Sequence, residues 1–470
     1  TNNNNTVFAL SIPTIRNKKI FNSVLLIKSG KVLYSVQKKK LPNYGVFDEK
    51  RYFSIDKVSK QYFQFKDNKT EFLICEDMWS ESFLKEKSKR KVDLIIVINA
   101  SPYEIGKFKL RKKLAKKRVK HFGCKLLYVN LVGSQDDLIF DGGSFLMNEN
   151  GDIIKQERFF EESEFIINLN DHIVHRKHKK INELEFLYRA LMVGLKNYMK
   201  KNNFNSAHLG LSGGIDSALT LAIMADTIGS KNISSYFLPS KFSSVESKND
   251  AKKLSYNVDI KTTEISIEKL RNNVSQKLRP VFENFRDDVT EENIQSRLRG
   301  LILMALSNKF NSLLVTTGNK SELAVGYSTL YGDMCGGYSL LKDVYKTKVF
   351  ELCKWRNNNI LSEFKIKKTN IIPDQIIFKE PTAELRFNQK DTDLLPPYEI
   401  LDKILILLID ENKSLEYIIK KGFSKKIVEK IWRMIKNSEF KRYQSVIGPK
   451  VSKMSFSEDR RYPITNKFDL

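Results

Sequence analysis

The sequence predicts an α/β protein of two domains, and three observations lead to this prediction. The chain has 470 residues, more than one ordinary hydrophobic core accommodates. Residues 22–168 alternate short apolar strands with helices, and a second alternation of helix, strand and loop begins at residue 181. Between them, residues 170–180 are polar and basic, which is typical of a linker. We therefore expect domains over residues 1–169 and 181–470.

In the first domain, short apolar runs predict strands at 23–27, 72–75, 94–99, 126–131 and 143–147, with helices at 80–87 and 107–122. This order indicates a layered α/β domain with partly antiparallel strands at its ends. The linker contains His172, His175 and His178. Their spacing of three could suggest a metal site, but the neighbouring lysines favour a solvated linker.

In the second domain, strands are predicted at 207–211, 233–238 and 313–317, with long helices between them. Such alternation predicts a doubly wound parallel sheet, which binds its ligands beyond the carboxyl ends of the strands. The last part, over residues 398–436, is amphipathic and predicts a helical region.

Composition excludes several classes of protein. No run of 18 apolar residues occurs, which argues against a membrane span. The net charge of +26 invites a nucleic-acid partner, but the lysines are scattered through every segment, so we expect none. The four cysteines are far apart and form no CxxC pair. This usage argues against zinc and disulfide frameworks and indicates the cytoplasm.

The run Ser-Gly-Gly-Ile-Asp-Ser at residues 212–217 carries the strongest chemical signal. Gly213 and Gly214 allow a tight turn between a strand and a helix, whose first amides then face an anion. The hydroxyls of Ser212 and Ser217 add donors, and Asp216 suits such a site if Mg²⁺ lies between it and the anion. A plain glycine turn with a serine cap is the alternative. The run resembles the pyrophosphate loop of enzymes that cleave ATP to AMP and pyrophosphate.

Further motifs follow this loop. Thr317 begins the run Thr-Gly-Asn-Lys-Ser-Glu after a predicted strand, which places Glu322 where a second carboxylate could hold Mg²⁺. Asp333 lies in a Tyr-Gly-Asp-Met run, and Lys342 and Lys346 lie in Lys-Asp-Val-Tyr-Lys-Thr. Either Arg297 or Arg299, on the preceding helix, could reach phosphates. An ordinary surface lysine is an equally good interpretation of Lys342.

Together these motifs resemble the glutamine-dependent NAD⁺ synthetase family. The resemblance continues through Glu-Pro-Thr-Ala-Glu-Leu-Arg at 380–386, Leu-Pro-Pro-Tyr at 395–398 and Arg-Arg-Tyr-Pro-Ile-Thr-Asn at 460–466. Other enzymes with the same loop, such as GMP synthetase, asparagine synthetase and tRNA-modifying ligases, lack these later motifs. Another amidotransferase of this ATP-pyrophosphatase class, or a tRNA-modifying ligase, is the alternative.

The resemblance implies a reaction and a set of roles. ATP adenylates the carboxylate of deamido-NAD⁺, pyrophosphate leaves, and ammonia then displaces AMP. The pyrophosphate loop (Ser212, Gly213, Gly214, Asp216, Ser217) would hold pyrophosphate and Mg²⁺. Arg299 and Thr317 would contact ATP, and Lys346 the phosphates. Asp216 and Glu322 would bind Mg²⁺, and Asp333 and Lys342 would face the dinucleotide. The implied fold of this half is that of the adenine nucleotide alpha hydrolases.

The first domain resembles the amidase of the nitrilase superfamily, an αββα sandwich with a Glu-Lys-Cys triad. Cys75, in Leu-Ile-Cys-Glu-Asp-Met-Trp, stands where a strand ends and suits an exposed nucleophile, although a buried structural cysteine is the usual case. Lys38 fits the family's lysine, with Lys39 or Lys40 as alternatives one or two positions on. Glu49 fits its auxiliary glutamate. Glutamine hydrolysis at Cys75 would supply the ammonia.

The resemblance breaks at the start of the chain. The family's first catalytic glutamate, the general base, lies upstream of the lysine, and no residue before Lys38 is Glu. We expect this domain to lack its N-terminal part, so that residues 1–470 use free ammonia well and glutamine poorly. The resemblance also implies a homodimer or a larger oligomer.

Overall fold

The computed structural model describes residues 6–56, 62–65, 67–81, 91–164, 166–169, 182–283 and 285–465. The chain forms two compact units. The first contains Thr1–Gly133 and Phe140–Lys180, and the second contains Ser134–Ile139 and Ile181–Leu470. The predicted linker with its three histidines, and most of the predicted helix at 80–87, lie outside the described residues.

The first unit contains two sheets. An antiparallel meander consists of β1 (Phe8–Arg16), β2 (Lys19–Lys28) and β3 (Lys31–Gln37). The larger sheet has the order β11-β10-β7-β6-β5-β4, with bounds Phe63–Phe65 (β4), Asn68–Ile74 (β5), Leu94–Asn99 (β6), Lys125–Asn130 (β7), Phe145–Met147 (β10) and Ile153–Gln156 (β11). Strands β5, β6 and β7 are parallel, whereas β4, β10 and β11 pair antiparallel with their neighbours. The prediction of antiparallel strands at the ends is confirmed.

Alternation along β5 explains the layers of this unit. Phe72 and Ile74 pack with Val24 of the meander, whereas Leu73 belongs to the core that also contains Val119 of the helix Lys107–Phe122. Successive side chains of a strand point to opposite faces, so one apolar run supplies both interfaces. The remaining elements of this unit are the helix Glu49–Tyr52 and the 3₁₀ turn Cys75–Met78, and the short paired strands Val132–Gln135 (β8) and Leu138–Asp141 (β9) stand where the chain passes between the residues of the two units.

The second unit is built on a sheet of five parallel strands in the order β14-β13-β12-β15-β16. Their bounds are Ala207–Gly210 (β12), Ile233–Phe237 (β13), Thr262–Glu264 (β14), Leu313–Thr316 (β15) and Tyr338–Ser339 (β16). The helices are Glu183–Lys201, Ile215–Ile228, Val245–Asn257, Glu268–Phe282, Val289–Phe310, Lys320–Val325, Lys346–Asn358 and Asp374–Phe378. The predicted parallel sheet is confirmed, and its two short edge strands were not predicted.

The helical region at the end of the chain is interrupted. It consists of Tyr398–Leu405, a π-helical turn at Ile406–Asp410, and the helices Leu415–Lys420, Lys425–Asn437 and Glu439–Tyr443. Gly422 has φ +96°, which no continuous helix allows, and Ser414 accepts the amide of Tyr417 to begin a new helix. No helix of the described residues is long and apolar enough to cross a membrane.

Candidate active sites

The second unit contains a cavity of about 530 Å³ at the carboxyl ends of β12, β13 and β15. Strand β12 has β13 as its neighbour on one side and β15 on the other, so the strand order changes direction at β12. Parallel sheets bind their ligands at such a switch point. Nine of the predicted site residues line this cavity: Ser212, Gly214, Asp216, Ser217, Arg299, Thr317, Glu322, Asp333 and Lys346. Gly213 lies in the same loop.

The pyrophosphate loop has the predicted strand-to-helix geometry. Gly213 adopts φ +83°, and a Cβ there would lie 2.3 Å from the carbonyl oxygen of Ser247. Only glycine fits both conditions. Gly214 then begins the helix Ile215–Ile228. The Ser217 hydroxyl donates to the Gly214 carbonyl at 2.9 Å, and the Ser212 and Ser217 hydroxyls lie 3.1 Å apart. Both hydroxyls are therefore fixed beside the first amides of the helix.

Two carboxylates share one ammonium group on the floor of the cavity. Lys346 Nζ lies 2.5 Å from Asp216 Oδ2 and 3.2 Å from Glu322 Oε1. Asn319 holds the same two residues, because its side-chain amide donates to Asp216 Oδ1 at 2.9 Å and its Oδ1 accepts the Glu322 amide at 3.0 Å. Asn319 is fully buried. It is therefore a site residue that the sequence motif contained but to which we assigned no role.

The electrostatics of this group suit a divalent cation. Burial raises the pKa of Glu322 to about 8, and Lys346 opposes that shift only in part. Asp391 also lines the cavity, and its buried Oδ1 has no hydrogen-bond partner among the described residues. No group of three or more acidic, histidine or cysteine side chains in the described ranges forms a complete metal site. Carboxylate oxygens are ligands that Mg²⁺ prefers, and it commonly takes the rest from phosphates and water.

The remaining predicted residues of the cavity lie on three elements. Arg299 projects from the helix Val289–Phe310, donates its Nε–H to the Leu238 carbonyl at 2.9 Å, and has its pKa lowered by burial to about 10. Thr317 directly follows β15. Asp333 is exposed at the rim of this group and accepts the amide of Thr329 at 2.6 Å. The other candidate, Arg297, is exposed and is not part of the cavity lining.

Lys342 does not lie with this group. Its Nζ donates to the carbonyl of Val446 at 2.8 Å, and it is not among the residues that line the cavity. The alternative of a surface lysine is wrong, because Lys342 is only 5% exposed. Burial lowers its pKa to about 8. The geometry gives no support to a contact between Lys342 and a ligand in the cavity.

The motif at 380–386 also borders the cavity, through a carboxylate that the sequence did not single out. Glu384 accepts from the hydroxyls of Ser244 at 2.8 Å and Ser247 at 2.6 Å, and from Lys379 Nζ at 3.2 Å. Ser247 is the residue that Gly213 approaches. Glu384 therefore connects this motif to Ser247, which lies against Gly213 of the pyrophosphate loop. The pairing joins segments 137 residues apart, and no local sequence pattern predicts it.

In the first unit, Cys75 stands at a strained turn. The predicted strand at 72–75 begins four residues late and ends one residue late, because β5 covers Asn68–Ile74 and Cys75 adopts φ +45° to begin the 3₁₀ turn. A left-handed conformation is costly for a residue with a Cβ and is typical of functional positions. Cys75 is partly exposed, and burial of its thiol raises its pKa to about 11 while the charge of Lys38 lowers it.

Lys38 and Glu49 form a buried pair beside this cysteine. Lys38 Nζ lies 2.6 Å from Glu49 Oε1, and Lys38 is 2% exposed. Lys39 Nζ donates instead to the carbonyl of Asp56. Of Lys38 and Lys39, therefore, Lys38 is the one whose ammonium meets the predicted glutamate. The Tyr44 hydroxyl donates to the carboxylate of Glu76 at 3.0 Å, next to Cys75.

Comparison with known proteins identifies the family to which each half of the chain is similar. The family model for carbon-nitrogen hydrolases matches residues 1–171, and the model for NAD synthase matches residues 187–445. The glutamine-dependent NAD⁺ synthetase of Acinetobacter baylyi is 45% identical over 454 residues, which are 95% of this chain and 82% of that protein. The enzyme of the same name from Synechocystis is 42% identical, over 96% of this chain and 82% of its own length.

Solved structures give the same result. The glutamine-dependent NAD⁺ synthetase of Acinetobacter baumannii in complex with ADP superimposes with a TM-score of 0.75 at 41% identity, over 97% of this chain and 84% of that one. The enzyme of Cytophaga hutchinsonii shares the fold with a TM-score of 0.80 at 22% identity, over 98% of this chain and 85% of that one. The chain therefore belongs to the glutamine-dependent NAD⁺ synthetases, ligases that amidate deamido-NAD⁺ at the expense of ATP.

Proposed function

We propose that the cavity of the second unit binds ATP and deamido-NAD⁺ and that Cys75 of the first unit releases ammonia from glutamine. The observation that supports the first half best is the pair of carboxylates, Asp216 and Glu322, held beside the pyrophosphate loop by Lys346 and Asn319. Such a group of opposite charges suits a reaction in which a triphosphate is positioned and its charge neutralised.

In this proposal the loop residues bind the leaving pyrophosphate. The hydroxyls of Ser212 and Ser217 and the amides at the start of the helix Ile215–Ile228 donate to its oxygens. Lys346 supplies a positive charge. Arg299, on the helix Val289–Phe310, and Thr317, directly after β15, contact ATP. Asp333 faces the dinucleotide, since its carboxylate lines the same cavity and is accessible to solvent.

Asp216 and Glu322 would hold Mg²⁺. The bound ion would neutralise phosphate charge and so favour the departure of pyrophosphate. The positive ion would favour the ionised form of Glu322, so that two carboxylates offset by one lysine would face it.

At the other site, the Cys75 thiolate attacks the side-chain amide of glutamine and ammonia leaves, after which water hydrolyses the thioester. Lys38 stabilises the thiolate, and Glu49 orients Lys38 through their 2.6 Å contact. We also propose a cytoplasmic enzyme that assembles into a homodimer or larger oligomer, which light scattering measures directly.

The test supplies purified protein with deamido-NAD⁺, ATP and Mg²⁺, and compares ammonium with glutamine as the nitrogen donor. NAD⁺ is measured with a coupled dehydrogenase, and AMP by chromatography. NAD⁺ and AMP should form in equal amounts with ammonium. NAD⁺ formation with glutamine in place of ammonium would support the role proposed for Cys75, and its absence would contradict that role. A tRNA-modifying ligase would instead form no NAD⁺, and its activity on RNA would fall steeply with salt.

A further inference from the structure

One buried carboxylate joins the two chain segments that carry Cys75 and Lys38. Asp77 Oδ1 accepts the backbone amides of Lys39 at 3.0 Å and Lys40 at 2.8 Å, and its Oδ2 accepts the amide of Ile74 at 3.2 Å. Asp77 is 1% exposed. All three donors are backbone groups, so the contact holds the main chain rather than a side chain.

The position of these donors is informative. Ile74 directly precedes Cys75, and Lys39 directly follows Lys38. The backbone of Lys38 is held on its other side by its own amide, which donates to the carbonyl of Asn22 at 2.8 Å. Asp77 therefore holds the backbone that follows Lys38, and it also holds the backbone that precedes the strained turn at Cys75. A residue in the left-handed region persists only when its surroundings hold it there.

The electrostatic consequence can be worked out. The charge of Lys38 opposes the effect of burial on the Cys75 thiol. At an effective dielectric constant of about 20, withdrawing a unit charge from about 4 Å to about 6 Å weakens the attraction enough to lower the thiolate fraction about tenfold. The placement of Lys38 relative to Cys75 therefore controls how much nucleophile is available.

We propose that Asp77 is a positioning residue of the glutaminase site, whose carboxylate fixes the lysine-bearing segment against the turn that carries Cys75. This proposal rests on the roles assigned above to Cys75 and Lys38. Asp77 itself does not contact glutamine. It acts through the two backbone segments that it joins.

The experiment is a double-mutant cycle on the reactivity of Cys75. The full chain and its Asp77→Asn, Lys38→Met and doubly substituted forms react with iodoacetamide from pH 6 to 11, and mass spectrometry follows the peptide that contains Cys75. Apart from the substituted residue, every form keeps the same charged and titratable groups around this thiol. These groups are Lys38, Glu49, Glu76, Arg111, Tyr44 and Tyr128. An asparagine has one acceptor oxygen, so it keeps either the two bonds from Lys39 and Lys40 or the one from Ile74, and its NH₂ group then faces the N–H at the other end and breaks the link between the two segments.

We expect the alkylation profile to shift so that the rate at a fixed pH below 11 falls about tenfold in Asp77→Asn and at least as much in Lys38→Met. The double variant should shift no further than Lys38→Met alone, because Asp77 acts through Lys38. Asp93→Asn is the matched control, since Asp93 also accepts a backbone amide, that of Lys69 at 2.7 Å, at the opposite end of the parallel strands. It should leave the profile unchanged.

Three results would overturn the proposal. If Lys38→Met shifts the profile and Asp77→Asn does not, Asp77 has no positioning role. If the two shifts add in full, Asp77 acts on Cys75 independently of Lys38. A profile unaffected by Lys38→Met would refute the assigned role of Lys38 itself, and with it this inference. Urea unfolding of the full chain reports whether the first unit is folded, and Asp77→Ser replaces Asp77→Asn in the cycle if the latter does not fold.

Discussion

Replacing Lys346 with methionine removes the one ammonium group that Asp216 and Glu322 share. All three side chains are buried or nearly so, with exposed fractions of 3%, 16% and 17%. Removing one partner of a buried ion pair costs about 3–5 kcal/mol of stability because the other charge stays without compensation. The rate of ammonium-dependent synthesis should fall about 100- to 1000-fold, as expected when a group that stabilises transition-state charge is lost.

The loss of stability should depend on pH in a defined direction. Burial holds the pKa of Glu322 near 8 in the folded protein, above its ordinary value of 4.5. Between pH 4.5 and pH 8 Glu322 is therefore protonated in the folded state and ionised in the unfolded state. Its protonation stabilises the folded state fully below about pH 4.5, and this stabilisation is lost as the pH rises to about 8. Above pH 8 the wild-type glutamate is ionised and depends on Lys346. The deficit of Lys346→Met should be larger at pH 9 than at pH 7.

Urea unfolding at both pH values and the rate of NAD⁺ formation measure these effects. Lys348→Met is the control, because Lys348 lies on the same helix and pairs with Glu351 at 2.8 Å in a partly exposed position. Its cost should stay below about 1 kcal/mol. The reasoning is refuted if both variants lose equal stability at both pH values, or if Lys346→Met keeps more than a tenth of the wild-type rate.

Three further substitutions test other parts of the structure. Gly213→Ala should raise the KM for ATP more than tenfold in steady-state assays, because the new Cβ meets the carbonyl of Ser247; an unchanged KM would show that the loop yields freely. Asn319→Ala should raise the Mg²⁺ concentration needed for half-maximal rate about tenfold, as loss of support around metal ligands does, and a Mg²⁺ titration decides this. Asp226→Asn leaves the fully buried Arg356 without its ion pair and should cost about 3–5 kcal/mol of stability in urea unfolding. Asp259→Asn is the control, because Asp259 pairs with Lys368 at the surface, and it should cost less than about 1 kcal/mol.

The sequence predicted the pyrophosphate loop well because its requirements are local. Gly213 must adopt a positive φ, and Ser217 must lie in the first turn of a helix, so six consecutive residues express the whole geometry. Strand positions in both units followed from apolar runs for the same reason. The C-terminal helices were harder to delimit, because the breaks near Asn412 and Gly422 depend on single turn residues inside an amphipathic pattern.

Lys342 and Asp77 mark where local reasoning fails. Lys342 lies four residues before Lys346 in one motif, yet its ammonium donates to Val446 and not to the group around Asp216. Asp77 lies in a quoted motif, but its partners at Lys39 and Lys40 are 37 to 38 residues away. Side-chain direction and distant pairing are set by packing, which the linear pattern does not encode.

The sequence by itself determined the two α/β units, the parallel sheet of the second, and most of the residues from which both candidate sites are built. These properties depend on periodicity and on turn chemistry within short segments. Only the tertiary structure decided that Lys346 and Asn319 hold the two carboxylates together, that Lys38 rather than Lys39 meets Glu49, and that Glu384 and Asp77 brace the two sites. The physical reason is that each of these contacts joins groups on different elements, and the distances between those groups exist only once both elements pack.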